Sequence, residues 1–550
     1  YKTFYKIREI NKSNKNKVIT IMIIPISFIA VTVLVAFLSW IKVRSEKKET
    51  AEDYFLAGRG LTGILIASSL MLTNLSTEQL VGLNAQAYMS NMSAMAWEIC
   101  AALTLVVVAL FLLPRYLRQG ITTIPEFIEA RFGKSTMYAF TILFLFGYIF
   151  NLLPPILYTG SVALSGIFDI QNTFGVSYWQ GIWITVFGIG LVGAGYAIFG
   201  GLKAIAYSDT FNGVGLLIGG VILIPLFALS ALGDGNPIGG FQYLMIHFPE
   251  KLNAIGSNDD PVPISTFFTG VLILNLFYWG TNQSIIQRTL GAKSLEEGQK
   301  GVLWAAALKL LGPFFLLLPG IIAYAMFGPG LHNGDEAYPK LVNAVLPSPL
   351  VGFFAAVLFG AVLSSFNSVL HSTATLFTLN VYKPLINKNA TDTQLVSVGK
   401  KFAAIVGLLS MFVAPFIYYA PDGFFQYFQT VNSFYMAPMF TVVVAGLFTK
   451  KVSSKAANIG IVTFMVIYAL SLFVFHWDIN FLHLTGLLFV LVSILIYLLS
   501  FIYPNTHIIV KPEKSSIQLS SWKHAKTMSI LICIGVITLY IFFSPLGVAK

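Results

Sequence analysis

The chain has 550 residues, 56% of them hydrophobic and only 10% charged, and a formal charge of +11. A soluble domain carries about 25% charged residues, so the composition excludes a soluble globular domain and predicts a polytopic protein of a lipid bilayer. The Lys and Arg residues stand in short segments between apolar stretches instead of clustering on one module. This distribution argues against nucleic acid as a partner.

Apolar stretches long enough to cross a bilayer as a helix, about 20 residues, recur along the whole chain. They predict an all-helical protein with about 14 transmembrane helices, at 18–41, 60–84, 92–113, 136–167, 177–199, 209–232, 265–286, 302–329, 349–380, 400–420, 424–448, 456–476, 480–503 and 527–546. The first stretch is longer than the ~15-residue apolar region of a signal peptide, and no small-residue cleavage pattern follows it, so we interpret it as a span. Between spans we expect short helices at 124–132 and 241–248.

The Lys and Arg residues also assign the loops to the two sides of the membrane. About 24 of the 34 fall in alternate loops, which we place in the cytoplasm, with the loop 233–264 outside. The cytoplasmic set includes Arg44, Lys47, Lys48, Arg131, Arg288, Lys511 and Lys514. The alternation puts the N-terminus outside, although that tail is itself basic. We expect the protein in the plasma (inner) membrane.

The segment 73–79, with the sequence TNLSTEQ, interrupts an apolar stretch that is otherwise long enough to span the membrane. Polar backbone at membrane depth is tolerated only where protein or a water-filled cavity receives it. A broken transmembrane helix whose free carbonyls and amides face a solute meets this condition. A plain loop between two short helices explains the segment equally well on this evidence alone.

Four ionisable residues fall within or beside predicted spans, where a charge is costly and suggests function. They are Glu78, Glu98, Asp209 and Lys309. Lys309 lies about seven residues inside its span, too deep for simple snorkelling to the interface. We therefore favour functional roles for Glu98 and Lys309, and for Asp209 we leave function and solvation at the span's end as equal alternatives.

The span 349–380 carries small and hydroxyl residues at helical spacing. The stripe is Ala361, Ser364, Ser365, Ser368, Ser372 and Thr375. Serines in membrane helices often pack closely or bond to their own helix. If they face the carbonyls of a helix break, the same hydroxyls make a low-charge oxygen nest that suits a monovalent cation, because a divalent ion calls for more carboxylates.

Aromatic and amide side chains occur together in two spans. The segment 275–283 reads NLFYWGTNQ, and Gln426 and Gln429 stand beside Phe425 and Tyr427. Interfacial aromatic belts are the ordinary explanation of Tyr and Trp in spans, but the first cluster lies in mid-span. The combination suits a sugar, which has apolar ring faces and a rim of hydroxyls. No ATP-binding motif is present, so any energy must come from an ion gradient.

Seven runs together resemble the sodium/solute symporter family, and most of all its bacterial sodium/galactose and animal sodium/glucose members. They are AEDYFLAGRGL, NLSTEQLVGL, GITTIPEFIEARF, GGLKAIAYSD, NLFYWGTNQSIIQRTLGAKS, LSSFNSVLHSTATLFTLNVYK and FFQYFQ. The resemblance covers residues from about 50 to 460 and implies an inverted five-plus-five helix repeat with a broken first helix. It implies an N-terminal extension with an extra helix over 1–59, the two repeats at 60–232 and 265–448, and extra C-terminal helices over 449–550.

The resemblance also implies the binding sites. A sodium ion would be held by the carbonyls of Leu72, Leu75 and Ala361 and the hydroxyls of Ser364 and Ser365. The sugar residues would be Gln79, Glu98, Asn275, Lys309 and Gln429, to which the amide pattern adds Gln426. Tyr278 would stack on the sugar as the inner gate, bonded to Asn74, and the outer side would be closed by Leu83, Tyr148 and Phe425.

Two departures from the family pattern leave the preferred hexose open. Trp97 stands where the galactose transporter has a tyrosine, and Ala101 where it has a serine. A second sodium site like that of the family's sialic acid transporters would comprise Asp209, Ser364, Asn367 and Ser368. Asn367 replaces a hydroxyl there, which favours one sodium ion per sugar.

The resulting interpretation is a sodium-coupled secondary active symporter for a hexose, glucose or galactose, and not an enzyme. Sodium is the coupling ion, and no organic cofactor is expected. The alternatives are a sodium-coupled transporter of another polyol or a sugar acid, such as myo-inositol or sialate, and a sugar sensor or uncoupled sugar channel on the same scaffold.

Overall fold

The computed structural model describes residues 14–43, 50–331, 334–419, 424–505 and 517–550. Within these ranges the regular structure is helical, apart from two isolated β-bridges. This result confirms the predicted all-helical class, and it is the expected solution for a chain in lipid, because a helix satisfies its backbone hydrogen bonds within one segment.

Nineteen helices of the described chain are used below. They are α1 (Asn14–Val43), α2 (Gly63–Asn74), α3 (Thr77–Met89), α4 (Met92–Gln119), α5 (Ile124–Phe132), α6 (Lys134–Phe168), α7 (Tyr178–Leu216), α8 (Pro237–His247), α9 (Gly270–Gly280), α10 (Gln283–Leu290), α11 (Leu295–Lys309), α12 (Pro313–Phe327), α13 (Ala337–Val345), α14 (Ser348–Ile386), α15 (Asp392–Tyr419), α16 (Phe424–Phe448), α17 (Ser454–Leu472), α18 (Phe481–Ile502) and α19 (Ala525–Phe542). The helical backbone of α7 continues through Leu217–Leu223 and Ile224–Leu232.

Ten helices in the described part of the chain are long and apolar enough to cross a membrane. Two further pairs pass the same test together although each is bent, α2 with α3 by 54° and α11 with α12 by 46°. The total of about 14 stays a prediction. Two of the spans behind it, 177–199 and 265–286, correspond to part of the long helix α7 and to the separate helices α9 and α10.

The bent pair α2–α3 is the break predicted at 73–79. Leu75 still donates its N–H to Met71 O at 2.7 Å, which ends the first half. Ser76 then takes an extended conformation, with φ −80° and ψ 175°, before α3 begins at Thr77. The two residues between the helices are both buried, so this is a helix broken inside the protein and not a solvated loop.

Close helix packing surrounds the break. Helix α14 packs extensively against α7 and also contacts α2. A Cβ atom added to Gly360 would lie 2.4 Å from the Asn212 side chain, and one added to Gly215 would lie 2.7 Å from Val357. The two glycines therefore allow α7 and α14 to approach, in the way that small residues do between membrane helices.

The segment predicted to lie outside the membrane holds the far end of α3. Lys251 is buried and donates from Nζ to the carbonyl of Tyr88 at 2.9 Å, while its ammonium lies 3.9 Å from the centre of the Tyr324 ring. A cation at a helix C-terminus is favourable because the last carbonyls carry partial negative charge. Burial lowers the pKa of Lys251.

The short helices agree closely with the sequence. Helix α5 has the predicted bounds, and the second short helix begins at Pro237 instead of residue 241. It starts earlier because the Asn236 side chain accepts a hydrogen bond from Ile238 N–H, which caps the helix at Pro237. Of the basic residues used for orientation, Arg44, Lys47, Lys48, Lys511, Lys514 and those of the tail at 1–13 lie outside the described residues.

Candidate functional site

The break leaves two opposite helix ends facing each other. Because the hydrogen-bond ladder of α2 ends at the Leu75–Met71 bond, the carbonyls of Leu72, Thr73 and Asn74 lie beyond it. The first amides of α3 likewise have no partner within their own helix. A helix C-terminus carries partial negative charge and an N-terminus partial positive charge, so one side of the break suits a cation and the other suits hydroxyl or carbonyl oxygens.

The hydroxyl stripe of α14 meets the carbonyl end of α2. Ser365 donates from Oγ to the carbonyl of Thr73 at 2.9 Å, and the hydroxyls of Thr73 and Ser368 lie 3.1 Å apart. Ser364 is 3% exposed, and its hydroxyl makes no hydrogen bond of ordinary geometry within the described chain. The structure therefore brings together the two regions from which the first sodium site was predicted.

The chemistry of this nest fits sodium. Its atoms are neutral hydroxyl and carbonyl oxygens, and the buried Ser364 hydroxyl, which lies beside Asp209, makes no hydrogen bond of ordinary geometry within the described chain. The described residues contain no group of three or more His, Cys, Asp or Glu side chains that could hold a metal ion, so a divalent ion has little support here. Direct roles for Leu72, Leu75 and Ala361 stay predictions.

A cavity lies at the break on the α3 side. Its volume is about 70 Å³, which is room for roughly five waters. Most of the predicted sugar residues line it: Asn74, Gln79, Glu98, Asn275, Tyr278 and Gln429. Gln426 does not line it, and its side chain is exposed. The structure thus separates Gln426 from the other predicted sugar residues.

Lys309 lies behind the cavity wall and holds two of the lining residues. Its ammonium is completely buried, lies 2.6 Å from Glu98 Oε2 and also donates to Asn74 Oδ1. Gly312, between α11 and α12, leaves room for Glu98, because a Cβ added there would lie 3.0 Å from Glu98 Cβ. A buried charge is tolerated only when it is paired. Lys309 therefore positions the carboxylate of Glu98 and the amide of Asn74.

Tyr278 forms the floor of the cavity. Its hydroxyl lies near Asn74 without a hydrogen bond of ordinary geometry, and its ring packs edge to face on Trp279, with centroids 5.3 Å apart and planes at 80°. The hydrogen bond between Tyr278 and Asn74 stays a prediction. The ring lies at the wall of the cavity, where it can stack on a ligand.

The predicted outer gate is only partly assembled. The Phe425 ring packs against Gly82, the neighbour of Leu83, so closely that an added Cβ would lie 2.7 Å from it, and Trp97 meets the same ring edge to face at 6.3 Å. Tyr148 is elsewhere. Its hydroxyl donates to Oδ1 of Asn282, which lies between α9 and α10, and Tyr148 does not line the cavity.

Sequence reasoning gave no ligand role to several groups that the cavity contains. Glu78 Oε2 and Trp97 Nε1 are buried and have no hydrogen-bond partner in the described chain, as is also true of Gln79 Oε1. Glu78 and Trp97 are 7% and 6% exposed. Buried polar atoms are rarely left unpaired, so these atoms are candidates for contact with a ligand. Asn432 also lines the cavity and donates to Gln429 Oε1 at 2.8 Å.

The residues of the predicted second sodium site surround an arginine. Arg288 was assigned to a cytoplasmic loop, and that assignment is wrong, since the residue lies in α10 and is 0% exposed. Its Nε donates to Ser69 Oγ at 2.8 Å, and its Nη atoms donate to Ser368 Oγ and to the carbonyl of Ser284. Ser69 in turn donates to Asp209 Oδ2 at 2.5 Å. Arg131 lies in the short helix α5, as predicted, and is buried as well.

Comparison with known proteins identifies the family. The family model for the sodium:solute symporter family matches residues 54–463. The chain is 44% identical over 526 residues to the uncharacterized symporter YidK of Escherichia coli, and the matched region covers 95% of this chain and 91% of that protein. It is 34% identical over 458 residues to a sodium/glucose cotransporter of Vibrio parahaemolyticus, which covers 79% and 82% of the two chains.

A solved structure supports the same fold. A Na⁺-coupled sialic acid symporter in a substrate-bound outward-open state matches with a TM-score of 0.71 and 20% identity, covering 90% of this chain and 99% of that chain. At this identity the likeness shows the fold alone. The family match over most of the chain, together with the broken helix and its oxygen nest, leads to one conclusion. This multi-pass membrane protein belongs to the sodium:solute symporter family and is a sodium-coupled solute symporter.

Proposed function

We propose that the transported solute is a neutral hexose, and that sodium flow drives its uptake by alternating access. One observation carries the proposal: the two halves of a single broken helix contribute to both sites. The carbonyl end of α2 meets the hydroxyl of Ser365, which is next to Ser364 in α14, and the first turn of α3 contributes Glu78 and Gln79 to the cavity. A cation and a solute bound at these places would both act on the geometry of the break.

The charges around the cavity favour a neutral solute. Glu98 and Lys309 form a buried pair whose charges cancel. Glu78 adds a carboxylate that has no cationic partner among the ion pairs of the described chain. An acidic sugar such as sialate would bring a negative charge into this site, where the one buried ammonium is already paired with Glu98, and a buried charge without a partner is costly. This argument favours glucose, galactose or another neutral polyol over a sugar acid.

The unpartnered atoms fit hydroxyl groups. Trp97 Nε1 can only donate a hydrogen bond, whereas the oxygens of Glu78 and Gln79 accept them. A sugar hydroxyl does both, so a ring with several hydroxyls satisfies donors and acceptors together. The Tyr278 ring offers an apolar face beside them. Trp97 and Ala101 replace the tyrosine and serine of the galactose transporter, so different hydroxyls of the solute are hydrogen-bonded at these positions. Myo-inositol is the second candidate because it presents the same hydroxyl groups.

Orientation belongs to the same proposal. We place the basic loops in the cytoplasm and the N-terminus outside, in the plasma (inner) membrane, so that uptake follows the inward sodium gradient. The proposed repeats at 60–232 and 265–448 would then move against each other around the break. Sodium bound at α2 would hold the arrangement in which the cavity accepts sugar, and its release to the cytoplasm would free Tyr278 to move.

Uptake into liposomes tests the proposal. The purified protein is reconstituted, and accumulation of radiolabelled D-glucose, D-galactose, myo-inositol and sialate is measured with an inward sodium gradient and with sodium replaced by potassium on both sides. We expect glucose or galactose to accumulate above the external concentration only with the sodium gradient. Equilibration without sodium would instead indicate a channel, binding without flux would indicate a sensor, and accumulation of sialate alone would refute the neutral-substrate argument.

A further inference from the structure

The buried arginine beside the predicted second sodium site has no part in the function proposed above. Arg288 reaches oxygens on three helices: Ser69 on α2, Ser284 on its own helix α10 and Ser368 on α14. A guanidinium carries a permanent charge and presents its N–H groups in a fixed planar fork. A cation with defined hydrogen bonds therefore already contacts Ser368, one of the four residues of the predicted second sodium site, and lies one hydroxyl away from Asp209.

Counting lone pairs shows that Ser368 is fully used. Its single hydroxyl proton goes to the carbonyl of Ser364 at 2.5 Å. Thr73, whose Oγ1 lies 3.1 Å from Ser368 Oγ, must then be the donor in that contact. Arg288 donates to the same oxygen. A hydroxyl has one proton and two lone pairs, so Ser368 has no lone pair left for a metal ion.

The carboxylate of the predicted site is also engaged. Asp209 accepts from Ser69, and the same Ser69 oxygen accepts from Arg288, so one hydroxyl links the two charges. Asp209 is 1% exposed, and the neighbouring guanidinium offsets its charge. Adding sodium would give this buried cluster a net positive charge, and a buried charge is costly unless it is paired. The remaining members are neutral: Asn367 Oδ1 is unpartnered within the described chain, and Ser364 Oγ lies beside Asp209 without a hydrogen bond of ordinary geometry.

We propose that Arg288 is a resident cation that occupies the place of the second sodium ion, so that one sodium ion binds per protein and accompanies each substrate. The inference rests on the proposed sodium coupling, and it gives a physical cause for the ratio that the replacement at Asn367 only suggested. It also makes a further claim: removal of the guanidinium releases Asp209 and Ser368 and leaves four oxygens from two helices able to hold a second ion.

The number of sodium ions bound tests this directly. Equilibrium binding of ²²Na⁺ to the purified full-length protein needs no knowledge of the sugar. We expect one ion per wild-type protein at saturation and two per Arg288→Gln protein. The double variant Arg288→Gln/Asp209→Asn removes both charges and should return to one. The matched control Arg131→Gln, another buried arginine far from this cluster, should bind one.

The outcomes separate the two proposals. Two ions bound to the wild-type protein would overturn the role of Arg288 and leave sodium coupling intact, whereas no bound ion would contradict the coupling proposal itself. If Arg288→Gln does not fold, as judged by size-exclusion chromatography, Arg288→Lys, which keeps the charge, must bind one ion, and two ions bound to that variant or to the wild-type protein would overturn the inference. In liposomes with equal sodium on both sides, a tenfold D-glucose gradient should be balanced by about 59 mV for one charge per sugar, and about 30 mV would refute the inference.

Discussion

Replacement of Ser365 by alanine separates sodium binding from sugar binding. The Ser365 hydroxyl donates its proton to the carbonyl of Thr73 at 2.9 Å, which leaves its lone pairs available to a cation. Ser365 does not line the cavity, so the substitution removes one neutral oxygen of the proposed sodium site and no contact to sugar. The effect should therefore appear first in the sodium dependence of transport.

The size of the effect follows from the loss of one neutral contact. By analogy with a hydrogen bond, that loss is about 0.5–1.5 kcal/mol, or roughly a three- to tenfold weaker affinity for sodium. Coupling between two ligands is reciprocal, so if sodium strengthens sugar binding, the sugar must strengthen sodium binding by the same factor. Ser365→Ala should accordingly bind sugar weakly at low sodium and recover at saturating sodium.

The assay is a sodium titration of glucose uptake in liposomes containing the wild-type or variant protein. Ser365→Thr, which retains a hydroxyl, should restore most of the sodium affinity. Thr373→Val is the matched control on the same helix, because among the described residues the Thr373 hydroxyl bonds only to the carbonyl of Val369, at 2.6 Å within α14. An unchanged sodium dependence, or a sugar defect that high sodium does not rescue, would refute the proposed site.

Three further predictions concern the cavity. Tyr278→Phe should retain part of the uptake, because it loses only the contact with Asn74, whereas Tyr278→Ala should fall much further; equal uptake by the two would contradict stacking. Glu98→Gln breaks the buried pair with Lys309 and should lower the free energy of unfolding by about 3–5 kcal/mol, which is measured as a lower melting temperature in detergent. The double variant Glu98→Gln/Lys309→Met should recover most of the stability but not uptake. An unchanged melting temperature in the single variant would contradict the pairing. Trp97→Phe keeps an aromatic ring but removes the indole N–H, whose hydrogen bond contributes about 0.5–1.5 kcal/mol of binding. Half-saturation should therefore need severalfold more sugar, while the sodium dependence at saturating sugar stays unchanged. An unchanged half-saturating concentration would exclude a hydrogen bond from Trp97.

Local sequence signals predicted the helices and the break well. Long apolar runs and a polar interruption are properties of neighbouring residues, and α2 and α3 separate within the segment 73–79 as expected. The broken helix also explains why Gln79 and Asn74 reach one cavity, since they flank the break. These features need no knowledge of distant contacts.

The differences from the predicted groupings all involve contacts across the fold. Gln426 precedes Gln429 by three residues, about 4.5 Å along the helix axis, and its side chain is exposed in the first turn of α16. Tyr148 was grouped with the outer residues, but its partner is Asn282, 134 positions away in sequence. Arg288 follows an apolar run, as a loop residue would, and its partner Ser69 is 219 positions away. No local pattern reports such contacts.

Two fixed cations hold the first half of the broken helix, and this arrangement explains how a removable cation can control it. Arg288 of α10 contacts Ser69, and Lys309 of α11 contacts Asn74, so α2 is bound near its middle and at its end by charges that cannot leave the protein. Each fixed charge lies near a carboxylate from another helix, Asp209 or Glu98. The C-terminal carbonyls of α2 are then left for a cation that binds reversibly. We infer that sodium is the variable member of three positive charges around α2, and that its departure weakens the hold on this helix without disturbing the two buried pairs.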